Sequence, residues 1–146
     1  MIHRGDIQIR DPFILVEDGA YYLFGTTDAD PWREGNSFLC YKTSDLEHYE
    51  GPFTAFAPGE DFAGVINFWA PEVHKHGDSF YMFASFLRPG RQRGTMVLKA
   101  ARPEGPYIPV TGVPYTPGDW SCLDGTFFEE DGKIYSFFIH EWTQIT

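Results

Sequence analysis

The apolar positions along the chain gather in short runs separated by turn residues, and the runs come in pairs. Asp11-Pro12-Phe13-Ile14-Leu15-Val16 leads through Glu17-Asp18-Gly19 into Ala20-Tyr21-Tyr22-Leu23-Phe24-Gly25. Pro71-Glu72-Val73-His74-Lys75 leads through His76-Gly77-Asp78 into Ser79-Phe80-Tyr81-Met82-Phe83-Ala84-Ser85. Asp124-Gly125-Thr126-Phe127-Phe128 leads through Glu130-Asp131-Gly132 into Lys133-Ile134-Tyr135-Ser136-Phe137-Phe138. Each pair predicts a hairpin, because Asp-Gly or Gly-Asp supplies the positive φ that a tight turn between strands needs. The second run of each pair is almost continuously apolar, as in a strand covered on both faces.

The segments that follow the hairpins repeat as well. Ser37-Phe38-Leu39-Cys40-Tyr41-Lys42-Thr43-Ser44 is followed by Glu50-Gly51-Pro52-Phe53, and Gly94-Thr95-Met96-Val97-Leu98-Lys99-Ala100-Ala101 by Glu104-Gly105-Pro106-Tyr107. The unit therefore has four strands, the fourth short and begun by Gly-Pro, with a period of roughly 55 residues that suits a propeller blade. A β-sandwich of coincidental hairpins is the competing architecture. The predicted fold is all-β, with blade one over about 8–56, blade two over about 66–112 and half of blade three over about 121–146. Propellers close with about four to eight blades. Two and a half blades call either for a longer chain or for a second chain, as a homodimer or a second half-propeller, pairing the open edges. Residues 143–146 read as an interrupted strand exit.

Composition narrows the class. Among 146 residues there are 14 Phe, 8 Tyr and 4 Trp, an aromatic load that favours pleated, half-buried strands. A formal charge of −10 argues against nucleic acid or an anionic membrane as a partner. Two cysteines are no disulfide framework: Cys40 lies in an apolar strand and Cys122 in a polar loop. No apolar run reaches membrane-spanning length and the first residues lack a signal-peptide core, so a cytoplasmic location is expected.

In a propeller the innermost strand of each blade lines the central axis. Asp11 and Asp124 begin that strand in two blades and face one centre; capping of backbone N–H groups is the alternative role for them. Paired carboxylates across a sugar-sized gap are what glycosidic cleavage needs, one activating water and the other protonating the leaving oxygen. A third acid nearby raises the donor's pKa. Phe13, Phe68, Trp69, Trp120 and Trp142 flank these acids, and sugars stack their C–H faces on such rings; Trp69, directly before Ala70-Pro71-Glu72, is the best placed.

Arg10-Asp11-Pro12-Phe13-Ile14, Phe68-Trp69-Ala70-Pro71-Glu72-Val73-His74 and Leu123-Asp124-Gly125-Thr126-Phe127-Phe128 together resemble glycoside hydrolase family 43, in family order and over essentially the whole chain. The resemblance implies a five-bladed propeller that hydrolyses arabinofuranosides or xylosides by inversion. It implies Asp11 as general base and Asp124 as the acid that tunes the donor, with Trp69 and Glu72 in the second-blade motif; Arg10, Phe13, Phe68, Trp69, Glu72, Trp120 and His140 are the expected substrate contacts. The family's proton donor, a Glu of the fourth blade, is not among these residues; Glu141, in His140-Glu141-Trp142, and Glu72 are the substitutes present. No cofactor is implied, although a structural calcium ion at the axis is compatible with the architecture.

His74 and His76 read as a solvent-facing pair without a third metal ligand. Lys42 and Lys99 read as repeat-equivalent surface positions. Arg88, Arg91 and Arg93 fall in a loop of blade two that either rims the cleft or is simply solvated. A non-catalytic carbohydrate-binding propeller, and a related five-bladed enzyme of fructosides or mannosides, stand as the alternative functions.

Overall fold

The computed structural model describes residues 1–27, 29–32, 37–62 and 65–142. The segment 143–146, expected as a strand exit, lies outside them. Three antiparallel sheets follow one another along the chain. The first contains β1 (Ile2–His3), β2 (Arg10–Glu17), β3 (Ala20–Thr26), β4 (Phe38–Thr43) and β5 (His48–Phe56), in the order β1-β5-β4-β3-β2. The second contains β6 (Ile66–His76), β7 (Ser79–Leu87), β8 (Arg93–Ala100) and β9 (Ile108–Pro109), in that order. The third is the hairpin β10 (Cys122–Glu130) and β11 (Lys133–His140).

The predicted hairpins form, and their turns are the types their residues require. Glu17 pairs with Ala20, His76 with Ser79 and Glu130 with Lys133, leaving two-residue turns. Asp18-Gly19 and Asp131-Gly132 have positive φ at both positions, whereas Gly77-Asp78 has it at the glycine. These are the dihedral signs of the mirror-image turns that match strand twist. The repeat extends to cross-strand pairs. Tyr22 faces Lys42 and Tyr81 faces Lys99, with each ammonium over its ring at 5.6 and 5.4 Å.

Two local expectations change. Blade one gains an extra strand, β1, on its outer edge, and its fourth strand begins at His48, well before Gly51-Pro52. Cys122 is not in a polar loop: it opens β10 and, like Cys40, is fully buried and free. Burial pushes both thiols up, so neither is a ready nucleophile.

The core fills the seam between the first two blades. Phe38, Phe56, Phe62, Phe68 and Phe86 form one aromatic cluster, with Phe68 and Phe86 ring centres 4.9 Å apart and Phe56 and Phe62 5.1 Å apart. Edge-to-face packing of this kind adds roughly 0.5–1.5 kcal/mol per pair beyond the area buried. β3 and β7 are covered on both faces as their apolar runs predict. β11 is not: Tyr135, Phe137 and Ile139, alternate residues of one face, are exposed, and among the described residues no further sheet packs on that side.

Candidate active site

The sheet-edge strands β2, β6 and β10 carry the candidate site residues. Each has a break in register at the same point, between Arg10 and Phe13, between Trp69 and Glu72, and between Leu123 and Thr126. At each break one residue adopts positive φ: Asp11 at 48°, Ala70 at 45° and Asp124 at 51°. A bulge re-aims its side chain, and aspartate tolerates the left-handed region better than most residues. The matching position of blade two is therefore Ala70, so the sequence Asp-Ala-Asp runs around the three blades. Gly125 follows from close packing, since a Cβ there would lie 2.4 Å from the Tyr115 hydroxyl and 2.5 Å from Thr95.

A repeated hydroxyl supports the bulges of blades two and three from the blade before. Thr26, 2% exposed at the end of β3, donates to Asp11 Oδ2 at 3.2 Å and accepts from the Ala70 N–H at 2.9 Å. Ser85, its counterpart in β7, accepts from the Asp124 N–H at 3.2 Å. Asp11 is thus tied to the backbone of the neighbouring blade through one side chain.

Asp11 and Asp124 share two adjoining recesses. One, of about 320 Å³, is bounded by Arg10, Thr26, Trp32 and Trp69; the other, of about 270 Å³, by Phe13, Pro71 and Glu72. The Trp32 and Trp69 rings meet edge to face at 4.8 Å and form an aromatic corner. The Trp69 indole N–H donates to the Pro31 carbonyl, and Asn67 donates to the carbonyls of Pro31 (2.8 Å) and Trp32 (3.0 Å).

Burial and the charges around Asp124 raise its pKa above the ordinary carboxylate value. Burial contributes most, followed by the negative charges of Asp11, Glu141 and Glu72, while Arg93 partly offsets them. Glu72 moves the other way. Burial pushes it up, but hydrogen bonds with His74 and Thr126 and the imidazole's charge outweigh that effect and hold it ionised. That makes Glu72 a poor proton donor, and its bonds tie blade two to blade three.

The structure moves several expected contacts. Phe68 is 1% exposed in the aromatic cluster and cannot meet a substrate. Trp120 and His140 stack on each other at 4.6 Å and 9° and line neither recess. Glu141 is bound to Arg93, accepts from Ser121 at 2.6 Å and lines neither recess, so its carboxyl is engaged away from the two aspartates. Trp142 is exposed just past β11, in neither recess. His74 does not face solvent, since it contacts Glu72 and lies against Phe13, Phe83 and Phe127; His76 is exposed beside Glu129.

Sequence reasoning left Arg93 in a loop, yet it opens β8 with a side chain only 10% exposed. Its guanidinium stacks on Trp69 at 4.0 Å, donates to Asn67 Oδ1 at 3.1 Å and pairs with Glu141. Thr26 and Asn67 were missed as well. The matching hydroxyls of Gly25-Thr26 and Ala84-Ser85 after equivalent aromatic runs were the available signal for the first; an isolated Asn gave none for the second. Among the described residues, no group of three or more His, Cys, Asp or Glu side chains is placed to hold a metal ion.

The family model described as glycosyl hydrolases family 43 matches residues 5–146. A curated relative from Aspergillus flavus, described as "Probable arabinan endo-1,5-alpha-L-arabinosidase A", is 29% identical over 97% of this chain and 44% of its own length. The "Extracellular exo-alpha-(1->5)-L-arabinofuranosidase ArbA" of Cellvibrio japonicus is 24% identical over 93% of this chain and 42% of its own. The crystal structure of an endo-arabinase from Bacteroides thetaiotaomicron superposes with a TM-score of 0.84 at 33% identity, covering 97% of this chain and 48% of that one. The chain thus spans about half the length of the relatives it matches.

Proposed function

The chain belongs to glycosyl hydrolases family 43, with the all-β five-bladed propeller architecture of that family, and from that premise we propose that the protein cleaves arabinofuranosyl or xylosyl linkages in plant-type oligosaccharides with inversion. Asp11 serves as general base and Asp124 as the acid that tunes the proton donor and orients the sugar. One observation carries this reading: the two aspartates occupy equivalent bulges on different blades and line the same recesses. An arabinofuranosyl unit is favoured because the relatives named above are arabinan-directed.

In the proposed reaction a water held by Asp11 loses a proton to that carboxylate as its oxygen attacks the anomeric carbon. The glycosidic bond breaks on the opposite face, and the leaving oxygen takes a proton from the donor acid. That donor is assigned to a Glu on another blade, since Glu72 is held as a carboxylate and Glu141, paired with Arg93, lines neither recess. Asp124, close to such a donor, acts by like-charge repulsion to keep it protonated. Arg10, Phe13, Trp32 and Trp69 frame the sugar. The chemistry calls for no cofactor.

The same reading supplies a cover for the apolar face of β11: further propeller blades, from a longer chain, a second half-propeller chain or a second copy. Light scattering separates a monomer from a dimer. The expected cytoplasmic location suits imported oligosaccharides, whereas the Cellvibrio japonicus relative is named extracellular, the side a polymeric substrate would call for. Cell fractionation decides between them.

A binding module without catalysis is the second reading, because the family's fourth-blade donor Glu is not among the described residues. A panel of aryl arabinofuranosides, xylosides, fructosides and mannosides, run beside calorimetry with arabino-oligosaccharides, distinguishes the readings. Turnover of the first two supports the proposal. Binding without turnover supports the module, and turnover confined to fructosides or mannosides redirects the substrate assignment.

A further inference from the structure

Arg93 also borders a cavity distinct from the recesses of Asp11 and Asp124. It measures about 370 Å³ and lies between the turn after β7, which carries Arg88 and Arg91, and the loop 113–118. The chain has 21 acidic residues, yet none lines this cavity. Among the described residues no carboxylate pairs with Arg88 or Arg91.

Arg88 is the more constrained of the two. Its guanidinium sits 5.2 Å from the centre of the Phe62 ring, and one terminal nitrogen meets the Met96 thioether at 3.8 Å. Its Nε is buried and has no acceptor. A guanidinium carries five donors in a fixed plane, and a thioether is a weak acceptor. A buried donor left unmet is costly, and such groups in a folded protein call for an explanation.

Two guanidiniums lining one cavity, with no carboxylate partner among the described residues, suit a planar anion with two oxygens. Val113, Pro114 and Pro117 add an apolar wall beside it, suited to the C–H face of a ring. We propose that this cavity is a subsite for a sugar acid, whose carboxylate engages Arg88 and Arg91 while its ring lies against Pro114 and Pro117. The carboxylate preference stands on the arginines; the assignment to a uronic acid unit of a polysaccharide rests on the glycosidase reading.

The test is an amide NMR titration of the protein with a galacturonic acid dimer, its methyl ester, a neutral galactose dimer and inorganic phosphate. Arabinotriose is titrated in parallel to report on the Asp11 recess. The acid dimer should shift the amides of Arg91, Gly94 and Gly118 saturably, and the ester and the neutral dimer should not. Arg91→Gln, which alters an exposed side chain and leaves the fold intact, should weaken the acid dimer about tenfold, as loss of a charge-assisted hydrogen bond implies. Arg88→Gln should do the same, with Arg88→Lys intermediate because it keeps the charge and loses the fork.

Equal binding of acid and ester, or unchanged affinity in Arg91→Gln, overturns the proposal. Phosphate competing at equal concentration overturns the sugar-acid assignment. If the acid dimer binds and arabinotriose leaves the Asp11 recess unperturbed, the subsite stands and the glycosidase reading fails.

Discussion

Arg93 and Glu141 join blade two to blade three through an ion pair in which both side chains are only 10% exposed. Removing one partner of a buried pair strands the other charge, at a cost of about 3–5 kcal/mol. Arg93→Met keeps the aliphatic stem but leaves Glu141 with Ser121 as its side-chain donor, and leaves Asn67 Oδ1 without the guanidinium. Glu141→Gln leaves the guanidinium stacked on Trp69 without a counter-charge. Each single variant should lose about 3–5 kcal/mol in urea unfolding, whereas the double variant should lose much less than their sum, because it buries no lone charge. For a domain of this size that is a drop of roughly 10 °C in melting temperature for each single change. Arg93→Met should also raise the Asp124 titration midpoint further, since the cation that offsets its acidic neighbours is gone. Two single effects each below about 1 kcal/mol that add in the double variant would show the pair behaving as an exposed one and refute the reasoning.

Thr26→Val removes both the donor to Asp11 and the acceptor for the Ala70 N–H, and should cost about 1–3 kcal/mol in chemical denaturation and loosen Asp11; unchanged stability would contradict that bridging role. Asp124 should titrate above the ordinary aspartate midpoint by carboxyl NMR, and Asp11→Asn should lower that midpoint by removing a like charge. A raised carboxyl holds its proton more tightly in the folded state, so the group favours folding at acid pH and loses that contribution as pH climbs from the ordinary midpoint through the raised one; an unraised midpoint would remove this effect. Phe68→Ala should cost about 3–5 kcal/mol through the cavity it opens, and a folded variant should bind arabino-oligosaccharide as the parent does.

The strands, hairpin turns and blade repeat were legible because they rest on local signals. Alternation, aromatic runs and Asp-Gly pairs act within a few residues, and Tyr22 and Tyr81 recur with the same lysine partners. Asp11 and Asp124 were legible for the same reason, as repeat-equivalent positions. The bulge that aims them was not, because Ala70 fills the matching place in blade two and hides the pattern. Phe68 misled because an aromatic beside Trp69 looks like a sugar platform, whereas alternate residues of a strand point to opposite faces. Arg93 was opaque because its partners Asn67, Trp69 and Glu141 lie on other strands and loops, which only tertiary packing brings together.

The central claim is that the recesses shared by Asp11 and Asp124 are where glycosidic bonds are cleaved, with Asp11 activating the water. It is tested by comparing the parent protein with Asp11→Asn for turnover of an aryl arabinofuranoside, alongside the affinity of each for arabinotriose. The account predicts a loss of turnover of about a hundredfold or more, the contribution of a general base, with affinity within a few fold of the parent. Near-normal turnover in Asp11→Asn would contradict it.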